Sequence, residues 1–405
     1  MNKPKIRFKG FEGEWKRQSL GDTSASFSGG TPAVSVSDYY GGNIPFIRSG
    51  EIHENRTQLY ITQAGLNNSS AKIVEKGTIL YALYGATSGD VGFSKLRGAI
   101  NQAILAIEPA KKYIDRIFLV GFLQSYKHRI INELLQGGQG NLSGSLVKKI
   151  LLAFPSLPEQ RALASYFTSL DAQIAASTSR LSSLKQIKAA SLLNMFPQKG
   201  ETVPRVRFKG FQGEWKEKAL GDVVDDFKYG INAAAVSYDG DNKYLRITDI
   251  DEESRAFIKD ELTSPDVDLS SCNEYIMQEG DIVIARTGAS VGKSYIYHPI
   301  DGKVYFAGFL IRARVNKKVD REFVYLNTLT DGFKKYIRFV SQRSGQPGVN
   351  AEELKSYLMN LPASLPEQRA IASFFTALDA QITLHRERLE KLKQIKAACL
   401  EKMFA

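Results

Sequence analysis

The sequence predicts an α+β fold built twice in tandem, each copy a mixed α/β domain followed by a long helix, with the two long helices packed as an antiparallel coiled coil. Three observations predict it. Residues 7–22, RFKGFEGEWKRQSLGD, return at 207–222 as RFKGFQGEWKEKALGD with 12 of 16 positions identical. Residues 156–174, SLPEQRALASYFTSLDAQI, return at 364–382 as SLPEQRAIASFFTALDAQI with 16 of 19 identical. Each of the second pair opens a long helical pattern free of Gly and Pro. A repeat of this length sets the architecture before any single element is assigned. The two offsets are 200 and 208, so the middle of the second copy is slightly longer, and it has diverged. The division expected is a domain over 1–158, a spacer helix over 159–198, a second domain over 199–366 and a second spacer helix over 367–405.

Taken in chain order, each copy begins with the RFKGF segment and enters a region of short apolar runs broken by Gly, Asn and Ser. Ile44 to Arg48 and Lys243 to Thr248 are examples, and they read as strands. The landmark shared by the two middles is GTILYALYGATSG at 77–89 against GDIVIARTGASVG at 280–292, a buried strand entering a glycine turn. Segments 111–136 and 320–341 read as helical. Each copy then reaches Pro-Glu-Gln, at 158–160 and 366–368, where Pro suits a helix start and the carboxylate favours the positive end of the dipole. Apolar residues follow at alternating spacings of four and three. Leu163, Phe167, Leu170, Ile174, Leu181 and Leu184 form the seam in the first copy, and Ile371, Phe375, Leu378, Ile382, Leu389 and Leu392 form it in the second. Ser177 and its counterpart His385 interrupt the seam and read as register features. Thirty-seven residues, 159–195, make a rod of about 55 Å.

Composition narrows the function classes. With 405 residues, 43% hydrophobic, the chain is long enough for two to four folded domains. No apolar run approaches the roughly 20 residues of a membrane helix and the first residues lack the apolar core of a signal peptide, so the expected location is cytoplasmic. Two Cys and four His supply neither a disulfide framework nor a zinc cluster. The formal charge of +11 is uneven: residues 1–158 carry a net +8 and residues 199–365 a net −1, yet nine Lys or Arg fall between Arg312 and Arg343. A face that neutralises phosphates needs only local charge. The run Gly288 to Ser294 imitates a phosphate-binding loop but has three residues between its glycines where four are needed. Asp90 stands where that run has Lys293, so the shared element is the turn. No nucleophile constellation is present in the sequence.

The order of these motifs resembles the specificity subunit of type I restriction-modification systems over nearly the whole chain. The residues that carry the resemblance are SGGTP at 28–32, YGGNIPFI at 40–47, GATSG at 85–89, Asn101-Gln102, Leu142-Ser143 and LPEQ at 157–160, with RTGASVG at 286–292 and LPEQ at 365–368 in the second copy. The second copy departs at FKYGIN, 227–232, where the first has its Gly-Gly-Thr-Pro element. The resemblance implies two target-recognition domains, each reading half of a bipartite double-stranded DNA site, and helices that act as the spacer. It implies a chain with no catalysis and no cofactor of its own. S-adenosylmethionine would belong to two partner methyltransferase subunits, and ATP with Mg to restriction/translocase subunits; no membrane is involved.

Side chains beside the glycine turns are the candidates for DNA contact: Thr31, Arg48, Tyr84, Thr87, Asn101 and Gln102 in the first domain, and Tyr229, Asn232, Arg246, Arg286, Thr287, Lys293, Arg343 and Gln346 in the second. Arg, Asn and Gln offer the bidentate pairings that discriminate bases. The repeated segments ending in Trp15 and Trp215 are candidate docking surfaces for the partners, with pinning of the N-terminal segments onto the core as the competing reading. Two rival functions stay open at this point, a structural adaptor without base reading and a nuclease with a carboxylate site.

Overall fold

The computed structural model describes residues 3–134, 142–342 and 345–404. It forms two compact units, Met1–Thr178 with Glu387–Ala405, and Ser179–Arg386. The division falls inside both long helices, so each unit owns part of each.

The strands of the first unit are β1 (Lys16–Ser19), β2 (Ser24–Ser28), β3 (Tyr40–Ile47), β4 (Tyr60–Ile61), β5 (Lys72–Val74), β6 (Ile79–Ala82), β7 (Val91–Phe93), β8 (Gly98–Ile100), β9 (Ile104–Pro109) and β10 (Leu151–Phe154), with helix α1 (Arg116–Leu134) before the last. They form an antiparallel sheet ordered β2-β9-β6-β7, a second sheet ordered β4-β3-β8-β5 and a β1-β10 ribbon. Every residue of β6 is buried, because its two faces serve two cores. Ile79 and Tyr81 join Trp15, Phe118 and Phe122 on one side. Leu80 and Ala82 join Ile47, Ile100 and Ile104 on the other. Each fully buried large apolar side chain contributes roughly 1.5–3 kcal/mol, so the unbroken apolar run is what fixes this strand at the centre.

The second unit repeats the plan. Its strands are β11 (Lys216–Ala219), β12 (Val224–Tyr229), β13 (Ala235–Ser237), β14 (Lys243–Leu245), β15 (Thr263–Pro265), β16 (Asp281–Ala285), β17 (Ser294–Ile296), β18 (Val304–Phe306), β19 (Leu310–Val315) and β20 (Leu358–Leu361). The sheet order β12-β19-β16-β17 reproduces β2-β9-β6-β7, and β14 pairs in parallel with β18 as β3 does with β8. The segment 320–341, read as helical, forms two helices, α3 (Arg321–Leu329) and α4 (Asp331–Val340), because the Thr330 hydroxyl accepts from the Phe333 N–H and starts a new helix.

The long helices are α2 (Leu157–Asn194) and α5 (Leu365–Met403). Their starts are fixed by a buried glutamine. Gln160 Oε1 accepts from the Asp115 N–H at 2.8 Å while its amide donates to the Pro155 and Tyr113 carbonyls. Gln368 repeats the arrangement with Asp320 and Pro362. Ten of the twelve expected seam residues are buried, while Ile174 and Leu392 are half-buried. Within the first unit α2 and α5 segments run antiparallel, with Phe167 beside Phe404 at 5.6 Å and Asp171 ion-paired to Lys396 at 2.6 Å. Within the second, Phe375 lies 6.2 Å from Phe196, and Asp379 pairs with Lys188 at 2.6 Å. Ser177 is buried, and His385 is half-buried with Nδ1 unpartnered.

The expectation that Trp15 and Trp215 serve as docking anchors is corrected. Trp15 and Trp215 are each 2% exposed and pack edge-on against Phe118 and Phe323. They pin the N-terminal segments onto the cores, leaving no indole surface for a partner.

Candidate nucleic-acid interface

In each unit four connections meet at one end of the sheet, and their backbones are stitched by matching hydrogen bonds. In the first unit the Leu83 N–H donates to the Ala103 carbonyl at 2.8 Å, the Leu142 N–H to the Leu83 carbonyl at 3.0 Å, and the Gly30 N–H to the Ile100 carbonyl at 3.2 Å. In the second, the Arg286 N–H donates to the Phe309 carbonyl at 3.0 Å, the Val349 N–H to the Arg286 carbonyl at 2.8 Å, and the Ile231 N–H to the Phe306 carbonyl at 2.9 Å. Strand register sets the correspondence: Ala82 faces Ile104 as Ala285 faces Leu310, and Ser28 faces Leu105 as Tyr229 faces Ile311.

Two glycine positions make the cluster possible. Gly85 and Gly288, with φ of 80° and 74°, turn the chain at the end of β6 and β16 through the left-handed region. Gly29 and Gly230 lie so close to the Ile100 and Phe306 carbonyls that a Cβ would collide with them.

The cluster gathers most of the sequence-predicted candidates. In the first unit the Thr31 hydroxyl donates to the Gln102 side chain, and Asn101 Oδ1 accepts from the Ala103 N–H at 3.2 Å. Tyr84 and Thr87 are half-exposed on the adjoining turn. In the second unit Asn232 occupies the place of Thr31 and is exposed. The Arg286 guanidinium lies 4.8 Å from the centre of the Tyr229 ring, whose hydroxyl accepts from the Ala351 N–H at 3.1 Å. Arg286 Nε is buried without a partner. Thr287 bridges to Gly348, and Gln346 is exposed beside Gly288. Arg343 lies outside the described residues.

Three candidates are engaged within the protein, and for one of them, Lys293, the sequence-based assignment to DNA contact is corrected. Arg48 grips Glu51 through Nε at 3.2 Å and Nη2 at 2.9 Å, and Nη2 also donates to Gln58. Burial by itself would raise the Glu51 carboxyl, but the Arg48 bonds and the backbone donors of Gln58 and Arg48 prevail and hold it at about 2. Arg246 grips Asp249 in the same way at 2.8 and 2.7 Å. Nε and Nη2 of both arginines are thus engaged at short helical turns, while the side chains remain 40% and 35% exposed. Lys293 is 6% exposed, donates to the Ile250 carbonyl at 3.0 Å and pairs with Glu252 at 2.5 Å. It therefore presents no free ammonium to a phosphate.

The basic run over 312–343 also divides. Arg312, 2% exposed, pairs with Asp226, and Arg314 forms two bonds with Asp281 at 2.9 and 2.8 Å. Lys334, Lys335 and Arg338 stand exposed on α4, which leads into the cluster. Among the described residues no group of three or more His, Cys, Asp or Glu is placed to hold a metal ion, and no helix is long and apolar enough to cross a membrane.

One prominent residue of the cluster is not among the sequence candidates. Phe309, 62% exposed, sits at the tip between β18 and β19. Its setting in the run VYFAGFLIR reads as buried strand, and only the Ala-Gly step before it signals a tip.

Comparison with known proteins finds the same duplication. The family described as type I restriction modification DNA specificity domain matches the chain twice, over residues 12–186 and 212–394. The MjaVIII type I restriction enzyme specificity subunit of Methanocaldococcus jannaschii is 21% identical over 404 residues, covering 95% of this chain and 90% of its own length. The StySPI specificity subunit of Salmonella potsdam is 23% identical over 387 residues, covering 89% and 81%. Among solved structures, the type I restriction-modification S subunit from M. genitalium matches with a TM-score of 0.66 at 17% identity, covering 100% of this chain and 99% of its own. A chain from a structure of type I R-M complex assembly and conformational transition matches with a TM-score of 0.55, covering 96% and 97%.

Proposed function

The chain belongs to the type I restriction modification DNA specificity family, and from that premise we propose that each of its two units reads one half of a bipartite double-stranded DNA site through the four-loop cluster at the end of its sheet. As a specificity subunit it is a DNA-recognition component without catalysis of its own. The observation that carries the half-site reading is the pairing of an identical backbone cluster with different side chains. On the same hydrogen-bonded frame one unit carries Thr31, Asn101 and Gln102, whereas the other carries Tyr229, Asn232 and Arg286. Two rigid frames with two sets of donors suit the reading of two different base sequences.

The chemistry then belongs to partners. Two methyltransferase subunits would carry S-adenosylmethionine, and restriction/translocase subunits would carry ATP with Mg. The duplication favours two equivalent methyltransferase sites per chain, since a repeated surface binds the same subunit twice. The complex would work on DNA in the cytoplasm. Titration of labelled target duplex, with and without excess random duplex at fixed salt, tests the reading. Retention of the target against competitor supports it, and equal affinity for both sequences would reduce the chain to an adaptor that assembles partners. A saturated ratio of one methyltransferase per chain, measured by native mass spectrometry, would contradict the two-site arrangement.

A further inference from the structure

We propose that Phe309 is a specificity residue of the second unit and packs its ring against the C5-methyl group of a thymine in that unit's half-site. The inference rests on the half-site reading above and adds an apolar contact to its polar ones.

The frame around Phe309 is rigid and the side chain is free. Its carbonyl accepts from the Arg286 N–H, the neighbouring Gly308 N–H donates to the Ile231 carbonyl at 2.7 Å, and the Leu310 N–H closes the turn onto the Ala307 carbonyl at 2.8 Å. Two neighbouring connections and the turn itself therefore hold the tip, yet Phe309 remains 62% exposed on a backbone bonded to the connections that carry Asn232 and Arg286. An aromatic ring standing in water loses burial energy that the fold would otherwise gain. The fold does not require it there. The same tip in the first unit carries Ala103, buried and with its carbonyl bonded to the Leu83 N–H, so alanine closes the turn equally well. What Phe309 adds is an exposed apolar surface on a cluster whose other exposed candidates, Asn232 and Gln346, are polar. In the major groove the one apolar group on a base edge is the thymine methyl, and phenylalanine is among the side chains that contact it.

The test deletes only that methyl. The full chain, co-expressed with its modification subunit, is titrated with its target duplex and with duplexes in which each thymine of the half-site retained on exchange of residues 20–155 is replaced singly by deoxyuridine. One position is expected at which loss of the methyl weakens binding about fourfold. Phe309→Ala is expected to weaken binding to the thymine duplex and to abolish the thymine–uracil difference at that position, while Phe309→Leu keeps part of it. Because the first unit folds with alanine at this place, the variant is expected to fold, as thermal unfolding would register. Indifference of the unaltered chain to every such replacement, absence of thymine from that half-site, or persistence of the difference in Phe309→Ala would each overturn the proposal. Weaker binding of Phe309→Ala without any methyl effect would indicate a ring inserted between base steps and would overturn it too. Loss of target preference in the unaltered chain would instead sink the half-site reading, and this inference with it.

Discussion

Arg7 and Glu159, 152 residues apart, form a two-bond ion pair of 2.7 and 2.6 Å that ties the N-terminal segment to the first turn of α2. The same guanidinium donates to the Gly13 and Glu12 carbonyls, and Arg207 repeats the whole set with Glu367, Gly213 and Gln212. The near-identical ends of the two copies are thus two ends of one joint. Glu159 is almost fully buried, so removing Arg7 leaves an uncompensated carboxylate. Arg7→Ala is expected to cost about 3–5 kcal/mol. Hydrogen exchange read by mass spectrometry should show lost protection in the first unit with the second unchanged. Equal loss in both units would contradict a joint local to its own unit.

Buried and exposed cations of the second unit should behave differently. Lys293→Ala removes the partner of the Ile250 carbonyl and of Glu252, and is expected to lower stability by about 1–3 kcal/mol without altering the DNA sequence recognised. Arg286→Ala removes a stacked guanidinium at the cluster and should relax one base position of the second half-site by about 1–3 kcal/mol. Thermal unfolding together with methylation-aware sequencing separates the two effects.

Acid should loosen the Arg48 turn. The Glu51 carboxyl lies near 2 against an ordinary 4.5, so the folded state holds the charged form. A depressed carboxyl contributes stability that is fully present above the unfolded value and is lost as pH falls from about 4.5 towards 2. Thermal unfolding followed across that window should decline for the unaltered chain and decline less for Glu51→Gln, which starts less stable. Parallel curves would rule the Arg48–Glu51 pair out as a source of acid sensitivity.

Lengthening the spacer should move the half-sites without rewriting them. Four residues inserted after Ser177 extend α2 by about 6 Å. The expected outcome is a longer gap between unchanged half-sites, read by methylation-aware sequencing, whereas altered bases within a half-site would count against a spacer role.

Much of this was legible in the sequence because duplication exposes constraint. The seam from Leu163 to Leu392 and the glycine turns at Gly85 and Gly288 follow periodicity and backbone sterics, which are local. Lys293 reads as a phosphate contact, and Arg48 and Arg246 read as unengaged, because nothing in the sequence shows that Glu252, Glu51 and Asp249 are their partners. Only the packing shows the pairs closed. Trp15 and Trp215 were ambiguous for the same reason, since an aromatic anchor and an aromatic core residue are spelled alike. Phe309 lies in an apolar run and was invisible until the tip between β18 and β19 turned it outward.

The central claim is that each unit reads one half-site. Exchanging residues 20–155 for the matching stretch of a relative, expressing the chimera with its methyltransferase partner and sequencing the methylated host genome tests it most directly. One half of the bipartite motif should change to the relative's and the other should stay as it was. A change in both halves, or loss of any defined motif from a folded chimera, would contradict the account.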